Sequence, residues 1–293
     1  MHPNSPHATQ LPVLGSTLYT SAVYQSLFCT PAAVVGFGAG NQVSLFTSKD
    51  TPDTAYTQWR APFIQAILPS ADTQTLAHAL SNEAKRLGCK AVEIKIPSPI
   101  YTEHSIWPLD SFFSDEASDL NYHLNLSAAT LQEVLPTDQR RVLRKMQDLN
   151  WQVRYLQPEE YNAAYRVLAR NRTKKNYPIT VSLGQLIDAF TAMPDTYLGY
   201  GCFANNALLG MAVVLVVQPK VWYTFLLAGD PGAPYSPVMA LIDKIYRDAR
   251  LAGASVLDLG TASVQGVPIP GLAAFKISLG AIETYKRTLR LYL

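Results

Sequence analysis

Lys276 and Asp258, near the end of the chain, are the residue types best able to do chemistry here. Lys276 lies in Gly271-Leu-Ala-Ala-Phe275-Lys276-Ile-Ser-Leu-Gly280-Ala. This spacing predicts a short helix with Leu272, Phe275 and Leu279 inward and Gly280 closing it. The lysine then sits beside the buried stripe. There its ammonium can meet a substrate phosphate or carboxylate, or hold the oxyanion of a tetrahedral intermediate. The plain alternative is a snorkelling surface lysine. Asp258 lies in Ser255-Val-Leu-Asp258-Leu-Gly260, which reads as a buried strand. A carboxylate there needs partners. It is either an anchor bonded to backbone N–H groups or a general base for an incoming amine.

Two further stretches suit anions. Gly229-Asp-Pro-Gly232-Ala-Pro-Tyr235-Ser236-Pro237 reads as a loop feeding a helix, with Ser236 as its N-cap and Pro237 at the first helical position. The free N–H groups of such a start attract phosphate; the alternative is an ordinary capped turn. Asn171-Arg172-Thr-Lys174-Lys175-Asn-Tyr177-Pro178 sets cations beside a Tyr-Pro and suits an anionic partner, or is a solvated basic loop. Arg140, Arg141, Arg144 and Lys145 follow Pro136 on neighbouring helical turns, as a linker helix or as a cationic wall.

Other chemistries lack their residues. The five histidines have no metal-ligand spacing, and no metal is expected. There is no Gly-x-Ser-x-Gly, no P-loop and no dinucleotide fingerprint. Gly36-Phe-Gly-Ala-Gly40 reads as a hairpin or strand end. Cys29, Cys89 and Cys202 are odd in number and far apart, which suits buried thiols in a reducing compartment. With 293 residues, 48% hydrophobic and 16% charged, the chain can build a sizeable core or two domains. The net charge of +2 makes no global case for nucleic acid or membrane. No signal peptide is visible and the longest apolar run, Ala207 to Val217, is too short to span a bilayer, so no membrane insertion and a cytoplasmic location are expected.

The elements that must position these residues are legible in the second half. Trp151 to Leu156 suggests a strand, and Pro158 opens a helix carrying Tyr161, Ala164, Tyr165 and Leu168. Ser182-Leu-Gly-Gln185 is a capping box before a second helix. Tyr197 to Ala204 and Ala207 to Val217 are two strands joined at Asn205-Asn206, followed by a strand from Val221 to Ala228. A helix with Val238, Leu241, Ile242, Ile245, Tyr246 and Ala249 inward ends at Gly253. The strand from Ser255, the short helix and a strand from Ile282 to Leu291 complete the order β-α-α-β-β-β-α-β-α-β. The first half looks like a weakened copy: Ala61 to Leu68 strand-like, a helix capped by Asp72 or Thr73 and ended by Gly88, then alternating Ala91 to Ile96. Both halves contain a helix–Gly–strand unit, which suggests duplicated domains.

The Phe275-Lys276-x-x-Leu279-Gly280 corner and the Tyr235-Ser236-Pro237 loop resemble the FemAB-like branch of the GNAT acyltransferases. The likeness covers residues 125–293 well and the first half only in architecture. It implies an α/β (α+β) fold of two tandem GNAT-like domains, each a mixed sheet flanked by helices. The expected divisions are 1–126, a basic linker of helices at 127–150, and 151–293 with the active cleft. It implies transfer of an acyl or aminoacyl group from a thioester or ester to an amine. Lys276 and Asp258 would be catalytic, Gly229, Gly232, Tyr235 and Ser236 would bind the donor, and Asn171, Arg172, Lys174, Tyr177 and Arg144 the acceptor. No tightly bound cofactor is implied. Donor candidates are acyl-CoA, an acyl-carrier-protein thioester and aminoacyl-tRNA, although the modest charge speaks against tRNA. The acceptor is a small-molecule or peptide amine. The loop lacks the Gln/Arg-x-x-Gly-x-Gly/Ala signature of acetyl-CoA enzymes, and Phe275 stands where many GNAT enzymes place a tyrosine. A catalytically retired ligand- or partner-binding GNAT fold is therefore the alternative.

Overall fold

A computed structural model describes residues 13–14, 18–19, 21–28, 30–37, 41–58, 66–67, 73–101, 112–233 and 235–293. These fall into two compact units. The first is built mainly from Thr30–Ala117 and Arg287–Leu293, the second from Ser21–Cys29 and Ser118–Lys286. The expected division at residue 126 therefore lies eight residues and more inside the second unit. The strand Ser114–Asn125 carries the chain across, because its latter half pairs with Val256–Thr261 and so belongs with that core.

The first unit opens on β1 (Val13–Leu14); α1 (Ala22–Phe28) belongs to the second unit. Then come β2 (Ala33–Phe37), β3 (Asn41–Thr47), β4 (Thr54–Tyr56), β5 (Ala66–Ile67), α2 (Thr73–Arg86) and β6 (Ala91–Lys95). Strands β2 and β3 pair antiparallel with Phe37 opposite Asn41, so the glycine-rich stretch is a hairpin as expected, its residues 38–40 lying outside the described set. Of the expected strand at residues 61–68 only β5 is described, and Asp72 also lies outside. Helix α2 turns Leu76, Ala77, Leu80 and Ala84 onto Val35, Val43, Leu45, Val92 and Ile94. That burial, at about 25 cal/mol per Å2 of apolar surface, supplies most of what orders the unit.

The second unit continues with β7 (Ser114–Asn125), α3 (Leu131–Val134), α4 (Thr137–Gln147), β8 (Gln152–Tyr155), α5 (Tyr161–Lys175), α6 (Leu183–Ala192), β9 (Tyr197–Ala204), β10 (Ala207–Gln218) and β11 (Val221–Gly229). It ends with α7 (Val238–Leu251), β12 (Val256–Thr261), β13 (Ser263–Val264), β14 (Val267–Pro268), α8 (Pro270–Ser278) and β15 (Ile282–Tyr292), whose last residues join the first unit. Its main sheet runs β7-β12-β11-β10-β9-β8. Only β11 and β12 are parallel neighbours, as the helix between them requires. Asn205 and Asn206 both have positive φ, 47° and 66°, the primed-turn geometry that matches strand twist. The capping box on α6 is closed in both directions, Gln185 N–H to Ser182 Oγ (3.2 Å) and Ser182 N–H to Gln185 Oε1 (3.0 Å). Helix α7 buries Leu241, Ile242, Ile245, Tyr246 and Ala249 completely against Tyr200, Ala212, Val214 and Leu257.

The two helix–Gly–strand units agree down to single hydrogen bonds. Gly88 and Gly253 have φ of +77° and +83°, a region that costs glycine nothing. Cys89 N–H donates to Ala84 O and Ala254 N–H to Ala249 O. The N–H groups of Lys90 and Ala91 then both donate to Asp53 O, as those of Ser255 and Val256 do to Lys220 O. Three parallel pairs follow in each, ending at Tyr56 opposite Glu93 and at Tyr223 opposite Asp258. The next residue still matches, Thr57 Oγ1 donating to Glu93 O (3.4 Å) and Thr224 Oγ1 to Asp258 O (3.2 Å); beyond it the units differ. In the first unit the Gln58 carbonyl accepts from Lys95 N–H (3.1 Å) and from Thr57 Oγ1 (2.8 Å), so side chains fill the space between the strands.

Candidate functional site

In the second unit the corresponding space is open. Strand β11 keeps its pairing with β10 out to Gly229, but pairs with β12 only from Val221 to Tyr223. The parting is local chemistry. Gly260 has φ +77°, and the register with β7 slips between Asp258 and Gly260. Asp258 Oδ1 accepts the Gly260 N–H at 2.8 Å, which fixes the bend. A Cβ on Gly260 would stand 3.1 Å from the Tyr223 ring, so glycine also permits the close approach. A cleft of about 280 Å3 opens here. One wall is Tyr223, Thr224, Phe225 and Leu227; the other is Leu259, Gly260 and Thr261. Val238 and Ile242 of α7, Leu272, Phe275 and Lys276 of α8, and Arg172, Lys175 and Tyr177 close it.

Lys276 is the most buried residue of α8, at 5% exposure. The snorkelling alternative is thereby overturned: Leu272 and Phe275 are half-buried, and it is the lysine that points inward. Its Nζ donates to Gly260 O (2.8 Å) and Thr261 O (2.7 Å), the carbonyls at the bend. Burial pulls its pKa down to about 7; Asp258 opposes this and Lys286 adds to it. Such an amine changes charge near neutrality while lining the cleft.

Asp258 is fully buried and is absent from the cleft wall. Its Oδ1 accepts from Asn121 Nδ2 (2.9 Å) and Gly260 N–H, and its Oδ2 lies 3.5 Å from Lys286 Nζ. Of the two alternatives read from the sequence, these contacts and the absence of Asp258 from the cleft wall favour the anchor over the general base. Lys286, itself 6% exposed, has its ammonium 5.4 Å from the Tyr223 ring centre. The sequence reading missed Lys286 and Tyr223. Tyr223 lines the cleft from β11, while Lys286 lies beneath it on β15, and no local pattern in the sequence marks either one.

The basic stretch at 171–177 divides. Helix α5 ends at Asn176, whose φ of 54° lets Tyr177 N–H reach back to Arg172 O. Arg172 and Tyr177 line the cleft, with the guanidinium 5.9 Å from the Tyr177 ring centre. Burial holds the Arg172 pKa below its ordinary value; burial and Arg172 do the same to Lys175. Asn171 and Lys174 line a second, adjoining hollow with Gly229, Asp230, Tyr235 and Ser236. Asn171 is buried there and donates from Nδ2 to Gly229 O at 2.8 Å. Gly232 is in the loop, its N–H on Asp230 Oδ1 at 3.0 Å. Ser236 lines both hollows but is not the cap: α7 starts at Val238 with Pro237 before it, and no side chain caps it. Pro237 takes this place because its ring packs on Gly210 and Gly229, where a Cβ would stand 2.7 Å and 2.9 Å from it.

Arg144 is not in the cleft. It is exposed on α4 and faces Gln132, whose amide oxygen, turned toward the guanidinium, accepts from Nε and Nη2 at 3.0 Å each. Its contact ties α3 to α4, so the cationic-wall reading is corrected to a linker-helix one. Among the described residues no cluster of His, Cys, Asp and Glu could hold a metal ion, and no helix is long and apolar enough to cross a membrane.

No family model matches the sequence, and no curated protein matches it. Solved structures do match in three dimensions. FemX aligns over 89% of this chain and 87% of its own, with a TM-score of 0.67 at 11% identity. L-PGS from Bacillus licheniformis aligns over 87% and 82%, with a TM-score of 0.61 at 10% identity. A tandem GNAT protein from the clavulanic acid biosynthesis pathway, solved without AcCoA, aligns over 90% and 84%, with a TM-score of 0.53 at 13% identity. At these identities the likeness is one of fold, and the chain has the mixed α/β fold shared by FemX, L-PGS and this GNAT protein.

Proposed function

We propose that the chain is a duplicated GNAT-like acyltransferase. It moves an acyl or aminoacyl group from a thioester or ester to an amine, in the cleft of its second unit. The observation that carries this reading is the parting of β11 from β12 after Tyr223 and Asp258. Beyond the Thr224 hydroxyl, which still donates to Asp258 O at 3.2 Å, it leaves β11 from Phe225 to Leu227 without a pairing to β12, and an extended amide-bearing donor can pair with such an edge. The matching hydrogen bonds of the two βαβ units support duplication, and the Gln58 plug in the first supports a single working cleft.

In this reading the donor carbonyl lies between the strands, beside Lys276. Two of the three ammonium hydrogens are held by Gly260 and Thr261, which leaves one for the oxyanion that forms when the amine attacks. Asp258 and Lys286 keep the bend in place from below. Arg172 and Tyr177 stand where the acceptor arrives. The enzyme acts chiefly by position and by a preset donor. The test is thiol release from an octanoyl N-acetylcysteamine thioester in the presence of pooled primary amines. Turnover that falls about a hundredfold in Lys276→Met supports the reading. Absence of turnover together with absence of thioester binding would return the chain to the retired-fold alternative.

A further inference from the structure

Tyr223 is the last residue of β11 that pairs with β12, so it stands at the fork where the two strands part, and it lines the cleft. Tyr122, Tyr200 and Tyr246 of the same unit place their hydroxyls on Glu283 (2.7 Å), Asp248 (3.2 Å) and Ala128 O (3.1 Å). Among the described residues nothing hydrogen-bonds the hydroxyl of the half-buried Tyr223. A phenol in that position is left to donate to whatever fills the cleft. The bend at Gly260 fixes where it donates. The hydroxyl lies 3.5 Å from the place a Gly260 Cβ would take, and Lys276 Nζ donates to the Gly260 carbonyl at 2.8 Å. Two proton donors, one from β11 and one from α8, thus converge on the fork. Tyr177 also lines the cleft, but from beyond the end of α5, beside Arg172.

In the acyltransfer reading Lys276 serves the carbonyl oxygen. Collapse of the tetrahedral intermediate also calls for a proton at the leaving atom. Asp258 is sealed beneath the cleft and Phe275 has no proton to give. We infer that Tyr223 is the general acid of this cleft, giving its hydroxyl proton to the leaving sulfur or oxygen of the donor. This inference rests on the acyltransfer reading above. The step balances without a further reagent. The amine nitrogen forms a bond to the acyl carbon and becomes positively charged. The C–S or C–O bond then breaks, the tyrosine proton goes to the leaving atom, and the proton lost by the nitrogen returns to the tyrosinate. The charges around the ring suit both halves of that exchange. Burial and Asp258 raise the pKa of Tyr223, so the residue meets its donor protonated; Arg172 pulls the other way. The Lys286 ammonium lies 5.4 Å from the ring centre, so it and Arg172 are the cations that steady the transient tyrosinate.

The experiment measures turnover of the full chain with pooled primary amines and two donors that share an acyl group. Octanoyl N-acetylcysteamine releases an alkyl thiolate, which holds a proton near neutral pH. Octanoyl 4-nitrothiophenol releases a weakly basic thiolate that leaves without one. Tyr223→Phe keeps the ring and removes the proton. It should slow the alkyl thioester about a hundredfold and the nitrothiophenyl thioester less than about fivefold. Lys276→Met should slow both alike, because both form the oxyanion. Equal losses on the two donors in Tyr223→Phe, or a loss below about threefold on the alkyl thioester, overturns the assignment and leaves acyl transfer standing. A dependence on the leaving group that appears in Tyr177→Phe instead also overturns it. Should Tyr223→Phe turn over neither donor, the wild type decides. With an acid in place its turnover differs less than about tenfold between the donors, and a steeper dependence overturns the inference. A wild type that turns over neither donor overturns both this inference and the acyltransfer reading.

Discussion

The Lys276 amine should write a signature into the stability of the whole chain. In the unfolded chain a lysine titrates near 10.5; in the folded chain burial brings Lys276 to about 7. Above 10.5 the amine is neutral in both states and costs nothing. As the pH falls from 10.5 toward 7 the unfolded chain takes up a proton that the folded chain refuses, so folding loses stability. Below about 7 both states are charged and the contribution is flat. Across that window the slope is about 1.4 kcal/mol per pH unit, and the full span amounts to roughly 5 kcal/mol. Lys276→Met removes the titrating group and keeps most of the volume. Urea unfolding of both proteins at pH 6, 7, 8 and 9 isolates the effect, because groups remote from Lys276 cancel in the difference and its near neighbours Asp258 and Lys286 are present in both. The wild type should gain on the variant by about 2–3 kcal/mol between pH 7 and pH 9, and the difference should be constant from pH 6 to 7. Methionine leaves the Gly260 and Thr261 carbonyls without their donor, a cost of about 1–3 kcal/mol each that shifts the whole curve without tilting it. Parallel curves from pH 7 to 9 would refute the reasoning and place an ordinary ammonium at this site.

Three further outcomes follow from the same contacts. Asp258→Asn should lower stability by about 3 kcal/mol in urea unfolding, because the buried Lys286 ammonium loses its counter-charge, and thioester turnover should fall no further than Lys286→Met alone makes it fall. Gly280→Ala should cost about 2 kcal/mol or more by calorimetry, since φ is +75° and the new Cβ would stand 2.6 Å from Val134 O. Arg144→Ala should leave turnover within about twofold of wild type, in line with its exposed position on α4 away from the cleft, and a loss of tenfold or more would restore it to the site.

Local signals determined much of the second unit. Most helices and strands from Gln152 to Tyr292, the short β13–β14 hairpin and the cap of α7 excepted, follow from period, caps and turns, each a matter of a few neighbouring residues: Asn205-Asn206 for the hairpin, Ser182 and Gln185 for α6, Gly253 for the end of α7 and Gly280 for the end of α8. The repeated helix–Gly–strand unit was legible for the same reason. What a local pattern cannot carry is which neighbour a side chain meets. Lys276 was read as lying beside an apolar stripe, yet it is the inward residue. The bend at Gly260 leaves two carbonyls that only a donor from α8 can satisfy. Asp258 was read as a base or an anchor. Asn121 and Lys286, far away in sequence, decide for the anchor by closing over its carboxylate. Arg144 and the cleft cation Arg172 have the same chemistry in sequence; tertiary packing turns one toward Gln132 and the other toward Tyr177 and Tyr223. The elements were fixed by short-range spacing. The site was decided by long-range pairing, because a buried charge takes its role from partners that sequence distance does not reveal.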